Sequence, residues 1–319
     1  AAAKDTDLSA LKAEGAGFIV LGGYEDGQTY VPVFDGTNET GSHITWNKSS
    51  WEYSPINYWL EGKTYKFVAY APAKLQEGDL FDIDYAGNKL KMKDGGTFTA
   101  DGETDLVVAE GKPQGYPVAA EPVQMETVGF KFYHALSKVK FTFINGWRNA
   151  VTLKITNIKL SNVKNTGSLT TSGTMAQGSD KIQLSAWSGQ TGTADYEDKA
   201  DGMNTDEYEA SYEFENFLLP TVLDDSQMKL TFTVQVTNSQ GTGPDLGAGA
   251  GNSVVKEVVI PKDVVTEWMP GYAYNYKLTI SGSTFGLKPI QFDDIDVDSE
   301  WGNGGEDDMD EGIEVVPGA

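Results

Sequence analysis

Few residues in this chain have the type and spacing to do chemistry. Asp294, Asp296 and Asp298 recur at every second position, like the opening of a calcium-binding loop. Such a loop needs a glycine at its sixth position and a bidentate glutamate at its twelfth, and Ser299 and Gly305 stand there instead. The same spacing describes a solvated strand face, with Ile295 and Val297 on the other side, and this is the expected reading. The chain has two histidines, His43 and His134, and no cysteine, which removes thiolate catalysis, disulfides and Cys-ligated metals and leaves little room for a zinc site or a His-dependent triad. His134 is expected to be a packed or hydrogen-bonded structural residue. Carboxylate pairs suited to glycoside hydrolysis are meaningless as a signal among 47 acidic residues, because folding sets their geometry. Nucleophile-elbow, P-loop, dinucleotide and zincin spacings are absent. No catalytic residue, metal ligand or cofactor site is therefore assigned. One aromatic group, Trp46, Trp51 and Trp59 with Tyr53 and Tyr58, has two readings: it covers the end of a β core, the favoured one, or it stacks on sugars.

The elements that would carry these residues are almost all strands. Only LSALKAEG and PKDVVTEW have helical spacing, enough for a turn or two each. Alternation is clear in KVKFTFI, which places Val139, Phe141 and Phe143 on one face and Lys138, Lys140 and Thr142 on the other. It is equally clear in MKLTFTVQV, with Met228, Leu230, Phe232, Val234 and Val236 inward, and it recurs in TYKFVAYAP, VTLKITNIKL and YNYKLTI. Separated by Gly, Asn, Asp and Ser turns, these segments predict an all-β chain of two tandem antiparallel β-sandwiches, each sheet with one wet face. At 319 residues the chain is long enough for two cores. A formal charge of −23 excludes nucleic acid as a partner and disfavours anionic membrane surfaces. No apolar run reaches the roughly twenty residues of a membrane-spanning helix.

The proline-interrupted stretch EGKPQGYPVAAEPV predicts a seam near residue 125. The expected division is residues 1–125 as an N-terminal sandwich, 126–301 as a second sandwich and 302–319 as an extension. NSQGTGPDLGAGAGNS reads as an exposed hairpin loop. Past Trp301, GNGGEDDMDEG reads as a linker, and the alternating GIEVVPGA that follows is too short to be a strand alone. Ile313, Val315 and Val316 gain little in water and need a host sheet, in their own chain or in a neighbour's.

Several segments, in order, resemble the fimbrillin family of Bacteroidales, subunits of type V pili. These are the Trp-rich stretch before TYKFVAYAP, then DLVVAEG, GFKFYHALSKVKFTFIN, VTLKITNIKLSNVKNTGSL, YEFENFLLP, EWMPGYAYNYKLTI and LKPIQFDDIDVDSEW. Together they cover the chain from about Leu8 to Trp301, and the F-x-H-A-L-S-K-V-x-F segment followed by W-x-P-G-x-x-Y-x-Y is the most specific pair. The resemblance implies two transthyretin-like, Greek-key sandwiches. It also implies a lipoprotein precursor whose first strand a trypsin-like protease removes, opening an acceptor groove in the first sandwich for the C-terminal strand of the next subunit. The start at Ala1 is then expected to be the processed end, and Ile313, Val315 and Val316 the donor strand. The acid run is expected to keep the tail soluble and to discourage insertion into its own subunit. The implied function is that of a stalk subunit of an extracellular fimbrium at the cell outer membrane; the alternative is a monomeric glycan-binding surface lipoprotein, with Trp46, Trp51 and Trp59 as its stacking platform, or a pilus tip or accessory adhesin. Its implied partners are identical copies, accessory, tip and anchor fimbrillins, and host or bacterial surface glycans and proteins.

Overall fold

The computed structural model describes residues 5–34, 40–119, 127–148, 151–172, 187–223, 228–238, 253–281, 294–298 and 313–315. The expected hairpin loop after Asn238 and the GNGG linker lie outside them. A short helix α1 (Leu8–Leu11) comes first. The strands of the first half are β1 (Phe18–Asp26), β2 (Thr29–Phe34), β3 (Ser42–Trp46), β4 (Trp51–Glu52), β5 (Thr64–Ala71), β6 (Phe81–Asp84), β7 (Lys89–Met92), β8 (Phe98–Thr99), β9 (Val107–Glu110), β10 (Gln114–Gly115), β11 (Val128–Phe130) and β12 (Tyr133–His134). Those of the second half are β13 (Ser137–Asn145), β14 (Val151–Val163), β15 (Thr166–Ser168), β16 (Ser188–Thr191), β17 (Ala194–Glu197), β18 (Met203–Thr205), β19 (Ser211–Leu218), β20 (Thr221–Val222), β21 (Lys229–Asn238), β22 (Ser253–Val259), β23 (Glu267–Trp268), β24 (Ala273–Ile280), β25 (Asp294–Asp298) and β26 (Ile313–Val315).

The second half is a two-layer sandwich. One sheet runs β19-β13-β24-β25 and the other β17-β14-β21-β22, with β18 on β14. The inward residues that alternation predicts in β13 and β21 are all buried, and they meet Leu153, Ile155 and Leu160 of β14 and Tyr276 and Leu278 of β24 in one core. Phe143 and Phe232 make an edge contact across the layers at 5.0 Å between ring centroids. The sheets are not wholly antiparallel, because β13 and β24 pair in parallel. A parallel neighbour requires a long crossover, and almost all of the half lies between these two strands. PKDVVTEW forms a turn followed by β23 rather than a helix.

The first half is built on an eight-stranded sheet, β12-β9-β5-β1-β3-β4, with β2 on β1 and β10 on β5. Its central strands do not have a wet face. Phe18 and Val20 of β1 belong to a core on one side, while Ile19 and Leu21 belong to a second core on the other. That burial explains the unbroken apolar runs FIVL and VVA, which a sheet covered on both faces requires. The second of these cores is shared between the halves: the hairpin β6–β7 contributes Phe81, Ile83, Leu90 and Met92, and the second half contributes Leu169, Trp187, Phe217 and Leu219. Strand β15 also pairs with β8, and Trp187 Nε1 donates to the Ala135 carbonyl at 2.7 Å. The two halves are thus joined by continuous packing and a shared sheet rather than by a linker alone. Pairing to the first sheet continues to His134 through β12 and β9, beyond the seam expected near 125.

Candidate strand-acceptor groove

The candidate groove is a buried apolar core on the face of the first sheet turned away from the second half. Phe18 and Val20 of β1, Phe67, Ala69 and Ala71 of β5, and Val107 and Ala109 of β9 form its floor. Several short segments cover it, leaving the floor residues buried. Helix α1 supplies Leu11, capped by Asp7 accepting from the Ala10 amide. The chain after β4 supplies Tyr53 and Trp59, and Trp51 of β4 meets Phe18 edge-on at 5.1 Å. The other cover is β11, whose Val128 and Phe130 are buried while Gly129 between them is exposed. Phe130 lies 6.0 Å from Phe18, ring to ring.

A three-residue strand cannot satisfy its own backbone on both edges. The partner of β11 is β26, antiparallel, with Val128 opposite Val315, Gly129 opposite Glu314 and Phe130 opposite Ile313. Strand β26 also lies against β4. The host sheet of the terminal strand is therefore the layer over the first-half groove, and within one chain the strand reaches it in its own subunit. The expectation that the acid run keeps the tail out of its own subunit is not met. Val316 lies outside the described residues.

The rim on the α1 side is fixed by a strap, Asp5 to Gly17, that touches both halves. The Thr6 amide donates to Asp105 Oδ2 at 2.7 Å, and the Thr6 hydroxyl donates to the Asp105 carbonyl at 2.8 Å. The Asp105 carboxylate is fully buried and also accepts from His134 Nδ1, which lies 2.9 Å from Oδ2. His134 is thus the hydrogen-bonded structural residue expected of it. Its partner escaped notice, the only signal being an acid directly before the apolar run LVVA. On the second half, Lys138 Nζ lies 2.9 Å from Asp5 and 3.3 Å from Glu215. Burial works against the Lys138 ammonium, but the Asp5 hydrogen bond and the charges of Glu215 and Asp5 outweigh it and raise its pKa. Burial likewise raises Glu215, against the pull of Lys138. The strap ends at Gly17, at φ +84°, where a Cβ would come within 1.9 Å of the Ile44 carbonyl oxygen.

The other residues singled out by type lie apart from any reactive cluster. Trp51 is buried, and Trp46 and Trp59 are half-buried against the groove core. Lys12 Nζ sits over the Trp46 ring at 4.7 Å, and Trp59 meets Tyr65 edge-on at 4.5 Å. The His43 ring nitrogen bonds the Ala16 carbonyl. The aspartate series forms β25, the edge partner of β24, with Asp296 paired to Lys277.

Comparison with known proteins supplies a family for this architecture. A search of curated proteins finds no match. Among solved structures, a protein described as a cell adhesion protein from Bacteroides uniformis is 17% identical, with 91% of this chain and 94% of that one covered at a TM-score of 0.43. The fimbrial anchor protein Mfa2 from Porphyromonas gingivalis is 10% identical, with 88% of each chain covered at a TM-score of 0.33. A fimbrial assembly protein from Parabacteroides distasonis is 11% identical, with 88% of this chain and 90% of that one covered at a TM-score of 0.39. At these TM-scores the likenesses transfer no residue roles. The profile of the fimbrillin-like family matches residues 19–292, most of the length, and the chain belongs to that family.

Proposed function

We propose that the chain is a stalk subunit of a surface fimbria that polymerises by strand exchange, with β26 leaving its own β11 and pairing with β11 of the next copy. The observation that carries this reading is the β11–β26 pair itself. It is a short contact, three residues on each side, made by a strand that covers an apolar core. An element attached at one end can make the same contact at home or in a neighbour, which is the logic of domain swapping. A tail-to-groove contact joins two different surfaces and does not close on itself, so it propagates as a filament. The shared core between the halves suits a subunit that must transmit load along such a filament.

In this reading the assembly lies outside the cell, in a fimbrium at the outer membrane. Its partners are identical copies, with accessory, tip and anchor fimbrillins at its ends, and it supports adhesion to host or bacterial surfaces. The test is truncation after Gly312. Removing the terminal strand is expected to abolish filaments in negative-stain microscopy and to leave the circular-dichroism spectrum unchanged. Filaments of normal length from the truncated chain would refute the reading.

A further inference from the structure

The β11–β26 contact has the same residues at home and in a neighbour, so by itself it gives no preference for polymer. A strand tethered to its own groove competes at an effective concentration on the order of millimolar. Assembly at micromolar protein needs about a thousandfold advantage from a contact that exists only between copies. An exposed apolar surface beside the β11–β26 pair could supply such a contact. Residues 53–60 and 113–119 carry no Asp, Glu, Lys or Arg, in a chain of net charge −23. Ile56, Tyr58 and Leu60 project from the first segment at 55%, 66% and 46% exposure, and Val118 projects from the second at 76%. The two segments adjoin: Gly62 donates to the Tyr116 carbonyl at 2.7 Å, and a Cβ on Gly62 would lie 3.3 Å from Val118.

The ridge is held rigidly by its alternate residues. Asn57 Nδ2 donates to the Val33 carbonyl at 3.0 Å, Trp59 packs on Tyr65, and the Leu60 amide donates to the Tyr65 hydroxyl at 2.8 Å. Large apolar side chains fixed in water gain by burial, and fixing them in advance lowers the entropy cost of docking. The ridge begins directly after β4, the strand against which β26 lies, so it adjoins the seat of β26. Two chains of strong like charge meet at least cost where neither presents carboxylates. We infer that the ridge Ile56–Leu60 with Val118 seats the body of an adjoining copy of this chain, and that this contact, made only between copies, tips β26 from closure at home to exchange.

This rests on the strand-exchange reading, and the experiment separates the two. The chain has no cysteine, so Tyr58→Cys introduces a unique thiol, with Val255→Cys on β22 as the exposed reference. Maleimide is expected to label Tyr58→Cys at least tenfold more slowly in filaments than in monomer, and Val255→Cys equally in both. In parallel, Tyr58→Asp is expected to raise the protein concentration for half-maximal filament formation by about tenfold or more without changing the melting temperature of the monomer. Filaments that form normally with Tyr58→Asp, or that leave Tyr58→Cys fully reactive, overturn the ridge contact while leaving strand exchange standing. An unaltered chain that never assembles removes both.

Discussion

Phe130→Ala lowers the stability of the folded chain by about 3–5 kcal/mol, the usual cost of truncating a buried phenylalanine whose surroundings cannot collapse. The side chain is 1% exposed and packs beside the rings of Phe18 and Phe132, which also contact each other. The backbone of Gly111 also closes on it: a Cβ there would come within 3.1 Å of the Phe130 ring, so little can move in to fill the void. Because Phe130 is half of the inward face of β11, the substitution also weakens the seat of β26. Urea denaturation measures the first effect, and the filament yield of the folded fraction measures the second. A loss below about 1 kcal/mol would mean that the floor and cover of the groove are not packed as described.

Asp105→Ala has an effect of similar size by a different route. It removes the acceptor shared by the Thr6 amide and His134, leaving two buried donors without it, each costing about 1–3 kcal/mol. The expected loss is about 3 kcal/mol, with Asp105→Asn intermediate because its amide oxygen still serves one donor. A structural readout accompanies it. Release of Thr6 frees the strap, so hydrogen exchange is expected to rise at Leu11 and Gly17, whose amides otherwise bond within the strap. Unchanged exchange at those positions would show that the carboxylate stabilises the core without holding the strap.

How much of this was legible beforehand follows from what each element packs against. Strands β13, β21 and β24 bury one face, and their alternation declared both the strand and its inward residues. In β1 and β9 the pattern hid the architecture: FIVL and VVA lack alternation because both sides of that sheet are covered, one of them by the second half. The parallel β13–β24 pair had no local signature, since neighbour order is decided by the whole crossover. Pro113, Pro117 and Pro122 marked a break in strand pattern, yet the chain packs back on the first sheet afterwards, with Val128, Phe130 and Phe132 buried against its core and β12 pairing with β9. The Asp105–His134 pair was out of reach for the same reason, as its members meet only through the register of β9 and β12. Ile313 and Val315 announced a strand in need of a host. The host, a strand of three residues with a glycine at its centre, was too short to announce itself.

The most direct test of strand exchange uses the register of that host. Gly129 is opposite Glu314, and among the described residues a Cβ on Gly129 meets no atom within 4 Å, so a side chain is tolerated there. Directly opposed residues of an antiparallel pair lie about 4.5–5.5 Å apart between Cα atoms, within reach of a disulfide. One preparation carries Gly129→Cys and a second, separate preparation carries Glu314→Cys; the two are mixed under assembly conditions and oxidised. Exchange between copies is expected to give covalent dimers joining one variant to the other, seen on non-reducing gels and by mass spectrometry. If filaments form from the mixture with no such cross-link, while a single chain carrying both substitutions closes its own disulfide, then β26 stays at home and the subunits are joined some other way.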